Sequence, residues 1–171
     1  MARAFNRKRL AADPYVNAIE RGYIGARKVD LDVLLAESDF VAVCCLLNDK
    51  TRHLIGAPQF ARMRPTAYFV NVARGPIVDE AALIDALRAG GIRGAALDVF
   101  EQEPVAPDNP LLAMDQVILT PHSLCWTDEC FHNMAATGLA SIVDALAGRR
   151  PEFVVNPDVL AHPRVRAWTA R

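Results

Sequence analysis

The 171-residue chain is long enough for one domain with a real core, and its 52% hydrophobic and 23% charged residues suit a globular protein. A formal net charge of -1 removes any general electrostatic reason to bind nucleic acid or an acidic membrane. No apolar run approaches the roughly 20 residues of a membrane span.

The basic cluster Arg3, Arg7, Lys8 and Arg9 reads as a solvated helix end, and no apolar signal-peptide core follows it. Residues 10–12 form a weak strand candidate that ends at Asp13-Pro14. Residues 30–37 show helical spacing, with Leu31, Leu34 and Leu35 on one face. The run DFVAVCCLL over 39–47 is nearly continuous in apolar character, as expected of a parallel strand covered on both sides. Its adjacent Cys44 and Cys45 would point to opposite faces. With Cys125 and Cys130 they include no C-x-x-C pair, so all four read as reduced thiols of a cytoplasmic protein and no metal site is expected.

A short helix opened by Pro58 is predicted over 57–63, then a strand over 67–72. The stretch 79–89 brings Ala82, Leu83, Ala86 and Leu87 to one helical face and stops at Gly90-Gly91. Strands follow at 94–99 and 117–119, and the longest helix at 128–147 ends on Gly148. The tail after Pro151 is expected to be loop-rich. Strands alternating with helices of this length predict an α/β fold, a Rossmann-like parallel sheet with flanking helices.

In open parallel sheets ligands bind beyond the carboxyl ends of the strands. Three signatures lie at such ends: Asn71-Val72-Ala73-Arg74-Gly75, Asp98-Val99-Phe100-Glu101-Gln102-Glu103-Pro104 and Thr120-Pro121-His122. An arginine, a carboxylate and a histidine suit reduction of a 2-oxo acid. The guanidinium grips a carboxylate with two parallel hydrogen bonds. The histidine gives a proton to the ketone oxygen, and the glutamate keeps that histidine protonated. Each residue also has an ordinary reading: Arg74 as a surface arginine before the Gly75-Pro76 turn, Glu103 as a solvated carboxylate beside Glu101, His122 as a cap of the helix that begins near Thr127.

The stretches LLAESDFV (34–41), TRHLIG (51–56), NVARGPIVDEAALIDAL (71–87), GAALDVFEQEP (94–104), PLL (110–112) and VILTPH (117–122) run in one order and spacing. There the chain resembles the D-isomer-specific 2-hydroxyacid dehydrogenases, which include glyoxylate/hydroxypyruvate reductases and D-3-phosphoglycerate dehydrogenase. The resemblance spans nearly the whole chain but only the C-terminal half of a full-length member. It implies that Arg74 binds the substrate carboxylate, that His122 is the acid/base and that Glu103 is its partner. It further implies NAD as cofactor, with Asp13 on the adenosine ribose, Asp98 on the nicotinamide carboxamide, and Cys45, Val72, Ala73, Arg74, His122, Ser123, Leu124 and Cys125 lining it. A small 2-oxo or 2-hydroxy acid is the implied substrate.

The chain also departs from that pattern. The G-x-G-x-x-G loop is absent, residues 1–5 look like the end of the helix that should follow it, and the first strand of the order 3-2-1-4-5-6 is missing. Residues 10–12 are then expected to lack a neighbour on one side. Arg9 stands where an apolar residue is usual, Leu46 where proline is common, and Leu124 and Cys125 where small residues are usual, so that Leu124-Cys125-Trp126 is the bulkier run. The expected organisation is a truncated dinucleotide-binding domain over 1–150 and a C-terminal extension over 151–171. A homodimer, or completion by a missing N-terminal portion, is compatible with this. The alternatives to a fragment of a working oxidoreductase are an inactive remnant and a dehydrogenase-like corepressor module. The isolated chain is expected to have little or no turnover.

Overall fold

The computed structural model describes residues 7–15 and 25–169. The expected helix end at 1–5 lies outside them. Between Leu124 and Cys125 the chain divides into two compact units.

Among the described residues the first unit holds six strands, parallel within their sheets: β1 (Leu10–Ala11), β2 (Arg27–Lys28), β3 (Phe40–Val43), β4 (Tyr68–Asn71), β5 (Gly94–Leu97) and β6 (Val117–Leu119). They form a two-stranded sheet β1-β2 and a four-stranded sheet β3-β4-β5-β6. Among the described residues β1 pairs with β2 alone. In the larger sheet Val43, Asn71 and Leu97 lie in register, and Leu97 faces Leu119. That alignment brings the carboxyl ends of four strands to one edge.

The strand β3 stops at Val43, four residues short of the apolar run that predicts it. Its neighbour β4 ends at the paired Asn71, and beyond that point Cys44 and Cys45 are exposed and Leu46 is 83% exposed. An apolar run marks a strand only as far as a partner extends.

Among the described residues the helices of this unit are α1 (Leu31–Glu37), α2 (Ala57–Phe60) and α3 (Glu80–Arg88). The helix α2 ends before the predicted Met63, ahead of Arg64-Pro65, where a residue preceding proline is driven out of helical conformation. Asp79 caps α3 by accepting the N–H of Ala82 at 3.0 Å. At its other end Gly90 takes a left-handed φ of 67°, and the Gly91 N–H closes on the Ala86 carbonyl at 2.9 Å. Ala82, Leu83 and Leu87 are buried and Ala86 packs beside them, as their spacing predicts. They join Leu35, Val41, Phe60, Phe69, Ile77 and Leu111 in one core, in which Phe60 and Phe69 meet edge to face at 5.2 Å.

The second unit contains α4 (Asp128–Leu146) and α5 (Pro163–Thr169). Thr127 caps α4 by accepting the Cys130 N–H at 3.1 Å, and no residue of α4 is buried. The tail is more regular than a loop: a 3-10 turn over Pro157–Ala161 precedes α5, and each begins at a proline, which is preorganised for a first turn. Among the described residues no helix is long and apolar enough to cross a membrane.

Candidate active site

The turn after β4 is built by Asn71. Its buried side chain donates from Nδ2 to the Arg74 carbonyl at 3.0 Å and accepts at Oδ1 from the Ala73 N–H at 3.1 Å. Gly75 then passes so close to the next loop that a Cβ on it would lie 1.7 Å from the Phe100 carbonyl oxygen. Only glycine fits there. The exposed Arg74 leaves this turn with Nη1 2.6 Å from the Ala73 carbonyl.

The loop after β5 presents Asp98, which is 5% exposed. Its Oδ1 accepts from the Thr120 hydroxyl at 2.5 Å and from the Ser123 N–H at 2.9 Å, while Oδ2 accepts from the Leu124 N–H at 3.2 Å. Burial pushes the Asp98 carboxyl up, but these three donors and the nearby His122 outweigh it and hold it below the usual range. The bonds bracket His122, whose φ of 53° is left-handed. A side chain in that conformation needs surroundings that over-determine it, and Asp98 supplies them.

Glu103 divides its carboxylate between two donors. Oε1 accepts the Phe100 N–H at 3.0 Å, and Oε2 lies 2.8 Å from His122 Nδ1. Burial acts to raise the Glu103 carboxyl, yet the bonds from His122 and Phe100, with the charges of His122 and Arg74, bring it net downward. Among the described residues, no protein group bonds His122 Nε2. The dyad therefore fixes one ring nitrogen and leaves the other to act.

Arg74, Glu103 and His122 thus come together, with Asp98, Ser123 and Leu124 behind the histidine. The ordinary reading of His122 as a helix cap fails, because Thr127 performs that role. Asp13 and Cys45 form a second neighbourhood. Asp13 Oδ1 accepts the Tyr15 N–H at 2.8 Å. Burial raises the Cys45 thiol, a hydrogen bond from its own backbone offsets part of this, and Cys44 and Asp13 push it further up. Val72 is 41% exposed at the end of β4, and Ala73 is fixed by Asn71. Cys125 belongs to the second unit and is exposed, as is Trp126, which packs on Phe131 at 6.2 Å.

Residues 1–123 match the model of the D-isomer specific 2-hydroxyacid dehydrogenase NAD binding domain. The chain belongs to that family. Glyoxylate/hydroxypyruvate reductase B of Shigella boydii is 52% identical over 134 residues, covering 78% of this chain and 41% of that protein. This chain therefore spans less than half the length of such a curated relative. Among solved structures, D-lactate dehydrogenase with NAD+ from Lactobacillus jensenii superposes with a TM-score of 0.80 at 34% identity, over 90% of this chain and 50% of that one. A glyoxylate reductase from Paecilomyes thermophila gives 0.76 at 35% identity, over 84% and 43%. The α/β Rossmann-like fold and an NAD-binding domain are thereby shown.

Two features of this family member escape a reading of the sequence. Asn71 sits in a recognisable motif, but nothing in the motif reveals that its amide shapes the arginine turn. Glu101 reads as a solvated carboxylate, yet Oε1 lies 2.6 Å from His53 Nε2. The only sequence signal for that contact is that both residues fall within stretches that resemble the family.

Proposed function

We propose that the protein is an NAD-dependent oxidoreductase that interconverts small 2-oxo and 2-hydroxy acids of glyoxylate or hydroxypyruvate size. The observation that carries this reading is the divided Glu103 carboxylate, which holds His122 by Nδ1, leaves Nε2 without a protein partner among the described residues and itself feels the Arg74 charge. Arg74 grips the substrate carboxylate through paired N–H donors. His122 Nε2 then faces the carbonyl oxygen and protonates it, and it takes the proton back in the reverse direction. Glu103 stabilises the imidazolium between these events. Proton transfer by a placed side chain contributes about 10² to 10⁴-fold.

The residues at the strand ends fit the cofactor. Asp13 closes β1 with a carboxylate, which suits two ribose hydroxyls and repels a 2′-phosphate, favouring NAD over NADP. Cys45, Val72, Ala73 and Leu124 offer small or apolar surface for the rest, and the family resemblance assigns Asp98 to the carboxamide. The cofactor, when bound, supplies or accepts the hydride.

Calorimetric titration of NADH onto the purified chain, followed by oxamate, tests the binding half. Micromolar NADH affinity supports it, and no heat of binding overturns it. For the chemistry, NADH-dependent glyoxylate reduction is compared with that of His122→Asn. The isolated 171 residues are expected to show a low rate that the substitution abolishes; a rate equal in both proteins overturns the assignment of His122. An inactive remnant or a corepressor-like module would bind NADH with no His122-dependent rate.

A further inference from the structure

A second histidine–carboxylate pair stands beside the dyad. His53 Nε2 lies 2.6 Å from Glu101 Oε1. The other Glu101 oxygen accepts the Glu80 N–H at 3.1 Å, and the Glu101 N–H donates to Glu80 Oε2 at 3.0 Å. Glu80 Oε1 in turn accepts from Asn109 Nδ2 at 2.7 Å. At its backbone, His53 donates its N–H to the Pro76 carbonyl at 2.9 Å. Two residues on, Ile55 bridges Val78, and the Asp79 N–H returns to the Ile55 carbonyl at 2.9 Å.

His53 is therefore bonded by its main chain to the turn that carries Arg74 and by its ring to the loop that carries Glu103. It does this with a left-handed φ of 51°, one of two such non-glycine residues among those described; the other is His122. A residue keeps that conformation where its surroundings over-determine it. An isolated exposed ion pair is worth little. This one differs because both oxygens of Glu101 and both ends of His53 are engaged, and because the segments it joins are those the site needs aligned.

On the reading of the site as an oxo-acid reductase, we propose that His53 and Glu101 are a positioning pair that locks the Arg74 turn against the 100–103 loop. The guanidinium and the His122–Glu103 dyad then address one substrate. His53 acts through Glu101 and the loop, not on the reacting atoms. When the pair is lost, the loop relaxes and the Glu103 bonds to Phe100 and His122 weaken.

The test follows the Glu103 carboxyl by 13C NMR titration in the full chain, a readout that requires no turnover. His53→Asn tolerates the left-handed backbone but is too short to reach Glu101. His53→Gln keeps an N–H donor of greater reach, and Glu101→Ala removes the other partner. Glu103 is expected to titrate closer to the ordinary carboxyl range in His53→Asn and Glu101→Ala, and near wild type in His53→Gln. An unchanged Glu103 titration in folded His53→Asn overturns the proposal, as does an equal change in His53→Gln. If Glu101→Ala does not fold, the Asn and Gln variants decide. In the NADH–glyoxylate assay the two disrupting variants lose about tenfold to a hundredfold in kcat/KM, the scale of a small misplacement, and Gln restores it. A wild-type chain with no reductase activity refutes the function, while the titration still decides the pair.

Discussion

In the sheet β1-β2 each strand contributes two paired residues, neither strand has a buried residue, and the ion pairs of Glu37 with Lys8 and Arg27 lie at the surface. In the sheet β3-β4-β5-β6 the pairing runs three or four residues per strand over a core in which Leu35, Phe69 and Ile77 are fully buried. The proposed adenosine-side residue, Asp13, follows the first sheet, and the proposed catalytic residues follow the second. Chemistry that depends on fractions of an ångström rests on the packed sheet. A carboxylate that has only to meet hydroxyl groups rests on the lighter one.

The largest effect should come from breaking the packed side. Gly75→Ala forces a Cβ into the Phe100 backbone and is expected to cost about 3 kcal/mol, read as a lowered midpoint in urea unfolding. Asp98→Asn comes next. It replaces one acceptor of the His122 turn with a donor, an expected loss of about 1–3 kcal/mol in the same measurement. Because Asp98 and Glu103 are both held below the usual carboxyl range, the stability they add is complete above about pH 5 and is lost as pH falls through their folded values. The acid limb of the wild-type stability curve should therefore flatten in Asp98→Asn.

The smallest effect belongs to the lighter sheet. Glu37 is held low first by its hydrogen bond from Lys8, but its side chain lies at the surface and is only partly covered. Glu37→Gln should leave the global unfolding midpoint unchanged. The Arg27 and Val29 amides, which bond to Arg9 and Ala11, should exchange hydrogen faster. If the midpoint falls as far as in Asp98→Asn, the distinction between the two sheets does not hold.

Much of the packed sheet was legible in the sequence, because Leu83 and Leu87 declare a helical face and the run before Asn71 declares a buried strand. The strand Arg27–Lys28 was not, since two charged residues carry no alternation and become a strand only by pairing with Leu10 and Ala11. Arg74, Glu103 and His122 were legible from their motifs. The Asp98 bracket was not, because an aspartate has no sequence pattern that names amides 25 and 26 residues away. His53 and Glu101, 48 residues apart, were hidden for the same reason.

Asn71 carries a consequence for how the two halves of the site tolerate change. Its amide closes the arginine turn entirely within residues 71–74. That turn carries its own template, so surrounding loops can be exchanged while its shape persists. The histidine turn borrows its template from Asp98, in the loop that follows another strand. Grafting residues 71–75 into a related sheet should transplant the shape of the arginine turn, whereas grafting 120–124 without the matching aspartate should transplant only a sequence.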